Sequence, residues 1–254
     1  MPYEPKAFCD KKAVAHAFSR AAKDYDQFAA FQRQVGQQLL EHCDWQSPGL
    51  LVDAGAGSGW YSQHFREQGH CVTAFDLSRG MLQQAANRQA ADYYVQGDLD
   101  TFPFAAQSFD YLWSNLALQW CNDFTAAITQ LQRTLKPQGQ LAFSTLAAGS
   151  LLEVEHAWQL AERPAPINRW PSADSLIVAA QSLGLTAWQT PVVCHFPSAL
   201  AALWSLKGIG ASHLQGGRQA GLSGRQFFNS LERYWPQDEE GYRLTYHIVF
   251  GVTR

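Results

Sequence analysis

Apolar positions along this chain change period several times, and each change marks an element. From Val14 through Phe18, Tyr25, Phe28, Phe31, Val35 and Leu39 they recur at roughly helical spacing, which predicts helix over most of the first forty-odd residues. At Leu50-Leu51-Val52 the pattern collapses into a short unbroken apolar run, as in a strand covered on both faces. Strand-like runs then follow at Cys71–Phe75, Tyr93–Val95, Tyr111–Ser114 and Gln140–Thr145. Between them lie helical patterns at Trp60–Gln68, around Met81, Leu82 and Ala85 behind a Ser78 cap, and at Phe124–Leu135. Strands alternating with helices in this way predict an α/β fold with a doubly wound, mostly parallel sheet. Beyond residue 146 the pattern loosens. Helices are expected at Leu151–Leu160, Ala173–Leu183, Ala199–Leu206 and Ser223–Tyr234, and strands at Thr186–Cys194 and Tyr242–Val252. The glycine-rich, basic stretch from Trp204 to Arg225 reads as a mobile element over a pocket.

The chemistry concentrates where the first strand ends. Asp53 closes the apolar run, Gly55, Gly57 and Gly59 follow, and a helix can begin at Trp60. A strand, a glycine turn and a helix make a ligand site at the carboxyl end of a parallel sheet. A dinucleotide fingerprint would carry glycine at its sixth position, where this chain has Trp60. Asp53 would also repel an incoming pyrophosphate, whereas an ammonium group would find it useful. The pattern therefore fits S-adenosylmethionine (SAM), which carries a sulfonium and an amino-acid end but no phosphate. Asp76 ends the second strand about twenty residues beyond the first glycine, where an acid can accept hydrogen bonds from ribose hydroxyls. Asp98 follows the third strand and could accept from an adenine amino group, with Leu99 packing on the ring. The segment Asn115–Trp120 leaves the fourth strand toward the same mouth. The helical segment ahead of the first strand can fold over it, carrying Arg20 and Tyr25, which on spacing alone fit a solvated charge and a packed aromatic.

Composition narrows the class. The chain has 254 residues, 46% hydrophobic and 16% charged, with ample material for a core and room for one large domain or a domain with a lid. A net charge of −3 gives no global pull toward nucleic acid or an anionic membrane. Cys9, Cys43, Cys71, Cys121 and Cys194 are odd in number, widely spaced and never in C-x-x-C, so reduced thiols in a cytoplasmic protein are expected, with no zinc site or other metal. No apolar run reaches membrane-spanning length, and the first dozen residues lack the apolar core of a signal peptide.

The ordered series of Asp53 with its glycines, Asp76, Asp98-Leu99 and the stretch LKPQGQLAF resembles the class I SAM-dependent methyltransferases over about residues 45 to 146. The resemblance implies a seven-stranded sheet whose last strand is antiparallel and inserts beside the fifth, with N-terminal helices and a helical lid. It implies that Gly55, Gly57 and Gly59 line the methionine portion of SAM, that Asp53, Asp76 and Leu77 belong to the cofactor site, that Asp98 and Leu99 hold adenine, and that Asn115 lies beside the transferring methyl. Three domains are then expected: an N-terminal helical cap over residues 1–45, a SAM-binding core over 46–146, and lid helices with the final strands over 147–254.

The flanks carry a closer resemblance. AFSRAAKDYDQFAAFQ, SNLALQWCND, SLKGIGASH and LTYHIVFGV are similar to the malonyl-acyl-carrier-protein O-methyltransferases of biotin synthesis, across nearly the whole chain. This implies methylation of the free carboxylate of a malonyl thioester on acyl carrier protein, an early step toward pimeloyl. A carboxylate is ionised at neutral pH and needs no general base, so catalysis would be positioning and desolvation. That agrees with the lack of a convincing nucleophile–base pair. Arg20, Arg169 and Lys207 are candidates to orient the carboxylate, with Tyr25 and Tyr246 as hydroxyl donors and His213 for the thioester carbonyl. We expect Tyr25, Asn115, Arg169 and Lys207 to form the catalytic set. Arg20, Lys23, Arg33, Arg163, Arg169, Lys207, Arg218 and Arg225 could form a docking patch for the acidic carrier.

Other classes are less well served. A methyltransferase acting on another free acid or a quinone precursor is the main alternative, although phenol C-methylation would want a base near the methyl. A SAM-binding subunit without activity would not need so complete a set of binding residues. A nucleic-acid enzyme would want a basic face and an Asn-Pro-Pro-aromatic run, and Asn115 is followed by Leu116. A nicotinamide dehydrogenase is disfavoured by Trp60. A monomer is expected.

Overall fold

The computed structural model describes residues 9–45, 47–165, 167–208 and 225–253. Strands β1 (Leu50–Ala54), β2 (Cys71–Asp76), β3 (Tyr93–Gln96), β4 (Phe109–Asn115) and β5 (Leu135–Leu146) pair in parallel. They join β6 (Leu185–Phe196) and β8 (Gly241–Thr253) in the order β3-β2-β1-β4-β5-β8-β6. β8 runs antiparallel to both β5 and β6, so the last long strand inserts beside the fifth as the resemblance implied. The expected seven strands are present, and a two-residue strand, β7 (Gln237–Asp238), pairs with the start of β8 as an eighth.

Alternate residues of the central strands supply two cores. Leu51, Trp113 and Ala142 pack on one face with Val35, Leu39 and Phe65, while Val52, Leu112, Leu141 and Phe143 pack on the other with Ile128, Leu131, Leu176 and Ala180. The helices that bring those residues are α3 (Ala30–Leu40) and α4 (Trp60–Glu67) on the first face, and α6 (Phe124–Thr134) and α8 (Ala173–Ser182) on the second. Helix α5 (Arg79–Asn87) is capped by Ser78, whose Oγ accepts from the Met81 amide at 3.2 Å. The later helices are α7 (Leu152–Leu160), α9 (Ala199–Gly208) and α10 (Arg225–Tyr234). Most of the stretch expected as a mobile element falls outside the described residues.

Two local expectations differ. The N-terminal helix is broken into α1 (Lys11–Ala21), α2 (Tyr25–Phe28) and α3. A straight helix over that span would run about 45 Å and could not both lie on α5 and reach the strands beneath α3. The strand expected at Gln140–Thr145 is longer: β5 starts at Leu135 and meets β4 through a register shift, with Gln138 at φ 67°.

Helix α1 sits tightly on α5. The Ser19 and Ser78 hydroxyls lie 2.8 Å apart, the Gly80 amide donates to Ser19 Oγ, and a Cβ on Gly80 would come within 2.7 Å of the Ser19 Cα. Because that Cα is backbone, neither helix can yield by a rotamer change. Gly80→Ala should cost about 1–3 kcal/mol and loosen α1, measured as a lower thermal midpoint with faster proteolytic cleavage before Tyr25. An unchanged midpoint and cleavage pattern would contradict this packing.

Candidate active site

The site is built at the carboxyl end of the sheet, where β1 hands over to α4. The Gly55 and Ala56 amides both donate to the Phe75 carbonyl, at 2.8 and 3.0 Å, which staples the glycine loop to the end of β2. Gly55 (φ +96°) and Gly59 (φ +85°) hold left-handed conformations, and side chains there would strike Ala117 and the pair Ala85 and Ala90. Gly57 (φ +55°) differs, since only the Tyr25 ring, at 3.9 Å, lies within contact of its missing Cβ. The middle glycine therefore leaves open space above the loop.

A buried carboxylate, Asp53, and a half-buried one, Asp76, frame this space. Asp53 is 2% exposed and accepts from Ser62 Oγ at 2.7 Å. Burial pushes its carboxyl up to about 7, with the Ser62 bond opposing and Asp76 adding to the rise. Asp76 accepts from the Gly57 amide at 2.9 Å and the Ser78 amide at 2.7 Å. Burial lifts it to about 6 against those two bonds. Neither acid has a basic partner among the described ion pairs, which suits a cationic ligand with hydroxyl groups. Leu77 follows, its carbonyl accepting from Gln96 Nε2 at 3.2 Å.

The next acid is differently placed. Lys11 Nζ bridges Asp98 at 2.7 Å and Asp100 at 2.8 Å, so the first turn of α1 closes against the loop after β3. Burial pulls Lys11 down, but its bonds to Asp100 and Asp98 outweigh this and leave it raised. Leu99 is buried beside it, in a short 3-10 turn. Phe18 meets Trp120 edge-on with centroids 5.6 Å apart, which adds a second hold on α1.

Asn115 ends β4 with its side chain bridging two elements. Its Nδ2 donates to the Gln32 carbonyl at 2.9 Å, and its Oδ1 accepts from Ser144 Oγ at 2.7 Å. One amide hydrogen is left for other work. Tyr25 opens α2 with its ring against Gly57; burial, then Asp76 and Asp26, raises its hydroxyl, while Arg33 opposes. Tyr246 projects beyond the paired end of β5, 3% exposed and stacked on Phe31 at 3.9 Å.

The structure thus gathers Tyr25, Asp53, the glycines, Asp76, Leu77 and Asn115 around one mouth, with Asp98 and Leu99 on its β3 side. Arg20 and Arg169 are exposed, and the described bonds do not carry either guanidinium to the glycine loop. Arg33 lies over the Trp60 ring at 4.6 Å and donates to the Asp26 carbonyl, and Arg163 lies over Phe227 at 4.3 Å, so both are engaged internally. Lys207 falls in the last turn of α9 with its side chain outside the described residues; His213, Arg218 and the Arg225 side chain also lie outside them.

Pattern reading missed a clamp. Asp26 of α2 accepts from Ser58 Oγ at 2.6 Å and pairs with Arg88 at the end of α5, which fixes α2 and its Tyr25 on the glycine loop. The only local hint was an acid next to Tyr25, because the partners are 32 and 62 residues away.

A doubly wound sheet with an antiparallel strand inserted beside the fifth, and a glycine loop between two acids at strand ends, defines a SAM-dependent methyltransferase of class I. Comparison with known proteins agrees. A family model described as "Methyltransferase domain" matches residues 52–143. Among solved structures, a putative methyltransferase in complex with the Haloferax volcanii Trm112 methyltransferase activator superposes with a TM-score of 0.58 at 20% identity, covering 93% of this chain and 98% of that one. A putative methyltransferase from Bacillus halodurans gives 0.56 at 15% identity, covering 85% and 96%. These share the fold. The sequence relatives go further: the malonyl-[acyl-carrier protein] O-methyltransferase of Erwinia billingiae is 48% identical over 96% of this chain and 97% of its own length. That of Erwinia pyrifoliae is 50% identical over 96% and 93%, and that of Yersinia pestis 43% over 98% and 93%. The chain belongs to the malonyl-[acyl-carrier protein] O-methyltransferase family.

The raised carboxyls of Asp53 and Asp76 have a consequence for ligand-free stability. Their folded values, about 6 and about 7, stand above the ordinary 3.8. Their contribution is then fully present below the ordinary value and is lost as pH rises through the folded ones. The thermal midpoint of wild type should fall more steeply between pH 5 and pH 8 than that of Asp53→Asn, which has no charge to bury there. Parallel profiles for the two proteins would refute the buried-acid description.

Proposed function

We infer that this protein transfers the methyl group of SAM to the free carboxylate of malonyl-acyl-carrier protein, forming the methyl ester on the way to the pimeloyl chain of biotin. The observation that carries this reading is near-full-length identity of 48% to a relative of that name, joined to a site arranged for a cationic donor. In this reading the loop Gly55–Gly59 lies along the methionine portion, Asp53 faces its ammonium, and Asp76 with Leu77 takes the ribose. Asp98 and Leu99 take the adenine, and the Lys11 ion pair holds the Asp98 carboxylate in position. Gly57 supports the assignment, because its missing side chain leaves room where the ligand would lie.

The chemistry asks little of acid–base groups. A malonyl carboxylate oxygen attacks the methyl carbon in line with the C–S bond. The bond's electron pair stays on sulfur, the sulfonium becomes a neutral thioether, and no proton moves. The attacking group is already anionic at neutral pH, so the protein's task is to hold it within reach and exclude water. Asn115, Tyr25 and Tyr246 form the polar and aromatic lining nearest the β4 and β5 ends. Lys207 and Arg169 are the cations we assign to the carboxylate and the carrier arm, with the carrier protein as partner and the chain acting as a monomer in the cytoplasm. The five cysteines, all free thiols, suit that compartment, and no described helix is long and apolar enough to cross a membrane. Residues 1–45 then serve as the cap, 46–146 as the SAM-binding core, and 147–254 as the substrate lid with the final strands.

The test is methyl transfer from labelled SAM to malonyl-carrier protein with acetyl-carrier protein beside it. Label on the malonyl form alone, released by mild base as methanol, is the expected result; label on neither, with SAM still bound, would return the substrate to the alternative free acids. Within the same assay, Asp76→Ala should weaken SAM binding at least tenfold, about 1.4 kcal/mol. Lys207→Ala should slow malonyl transfer with SAM affinity nearly intact. Equal loss of SAM binding in both variants would defeat that division of labour.

A further inference from the structure

Helix α3 carries a polar group that the site so far described does not use. Among the described residues the Gln32 Oε1 is buried and makes no hydrogen bond. A buried carbonyl oxygen without a partner is costly, and such an atom in a native site calls for a ligand or a role. The other buried side-chain atoms without a hydrogen bond, among the described residues, are elsewhere. Trp113 Nε1 lies in the apolar core among the rings of Trp45, Tyr61 and Phe65, Gln38 is further along α3, and Arg243 is on β8.

Several contacts locate the turn that bears Gln32. Its own carbonyl accepts from Asn115 Nδ2 at 2.9 Å, at the end of β4. The following residue, Arg33, has its carbonyl bound by the Tyr61 hydroxyl at 2.7 Å and its guanidinium over Trp60, the first two residues after the glycine loop. Gly36, one turn on and on the same helix face as Gln32, is covered by the Tyr61 ring. Side chains on a helix lean toward its N-terminus, which for α3 is the side of α2 and Tyr25. The Gln32 turn is therefore bracketed by the start of α4 directly after the glycine loop, the β4 end and α2.

We propose that the Gln32 carboxamide is a ligand for the α-amino-acid end of the methyl donor. This rests on the SAM reading above and adds a residue from the cap to the donor site. A carboxamide offers one carbonyl acceptor and two N–H donors. The donor's amino-acid end presents an ammonium and a carboxylate, so one neutral side chain complements both without adding a charge beside Asp53. The bond also ties the cap to the bound donor, because α3 is already joined to Asn115 through the Gln32 backbone.

Calorimetry with ligands that do or do not carry the amino-acid end tests this in the full chain. Gln32→Met keeps the length of the side chain and removes its hydrogen bonds, and Gln32→Asn keeps the polarity but withdraws it by one methylene. Both should bind SAM and S-adenosylhomocysteine about tenfold more weakly, about 1.4 kcal/mol, while methylthioadenosine, which lacks the amino-acid end, binds as to wild type. Equal weakening toward methylthioadenosine would assign Gln32 a structural role and overturn the proposal, as would unchanged affinity for all three. Failure of the wild-type protein to bind SAM would overturn the donor reading itself together with this one.

Discussion

Two carboxylates at the ends of adjacent parallel strands, Asp53 buried and Asp76 half-buried, without a basic partner among the described ion pairs, are the constraint around which this molecule is built. Ionised, they are costly in the folded protein, and their raised values record that cost. The fold keeps them where they are by stapling the glycine loop to β2 through the Phe75 carbonyl and by giving each acid hydrogen bonds from the loop or from the α4 and α5 starts. A ligand with positive charge and hydroxyl groups relieves the cost. The site thus offers carboxylate oxygens to a cationic, hydroxyl-bearing ligand before one arrives, which favours binding.

The N-terminal helices extend this arrangement across the mouth. Helix α1 is held by Lys11, Phe18 and Ser19, and α2 by Asp26 on Ser58 and Arg88. Asn115 in turn holds α3. The anchors on the core side lie on the glycine loop, on α5 and its C-cap, on the end of β4, and on the segments that follow β3 and β4. The N-terminal helices and the glycine loop are therefore tied together by side-chain contacts with α1, α2 and α3.

The sheet was legible because parallel strands buried on both faces leave short apolar runs, and the glycine loop because a close ligand approach excludes side chains. Asp53, Asp76 and Asp98 could be placed from their position at strand ends alone. The inserted antiparallel strand and the malonyl substrate came only through resemblance, since neither periodicity nor composition encodes them. Pattern could not show that Lys11 would meet Asp98 or that Asp26 would meet Ser58, because residues 87 and 32 apart come together only through the fold. The break of the first helix into α1, α2 and α3 was hidden for a related reason. The apolar spacing continues through it, and the break answers to the different surfaces the helices cover.

The central claim is that the raised acids at Asp53 and Asp76 are completed by a donor that brings an ammonium and ribose hydroxyls, and proton-linked binding tests it most directly. Calorimetric titration of SAM between pH 6 and 7.5, in buffers of differing ionisation enthalpy, should show proton release and an affinity that rises with pH as the acids lose their protons to the bound ligand's field. Asp53→Asn should release fewer protons and flatten the rise. Binding without proton release, and with affinity independent of pH in wild type, would contradict the account.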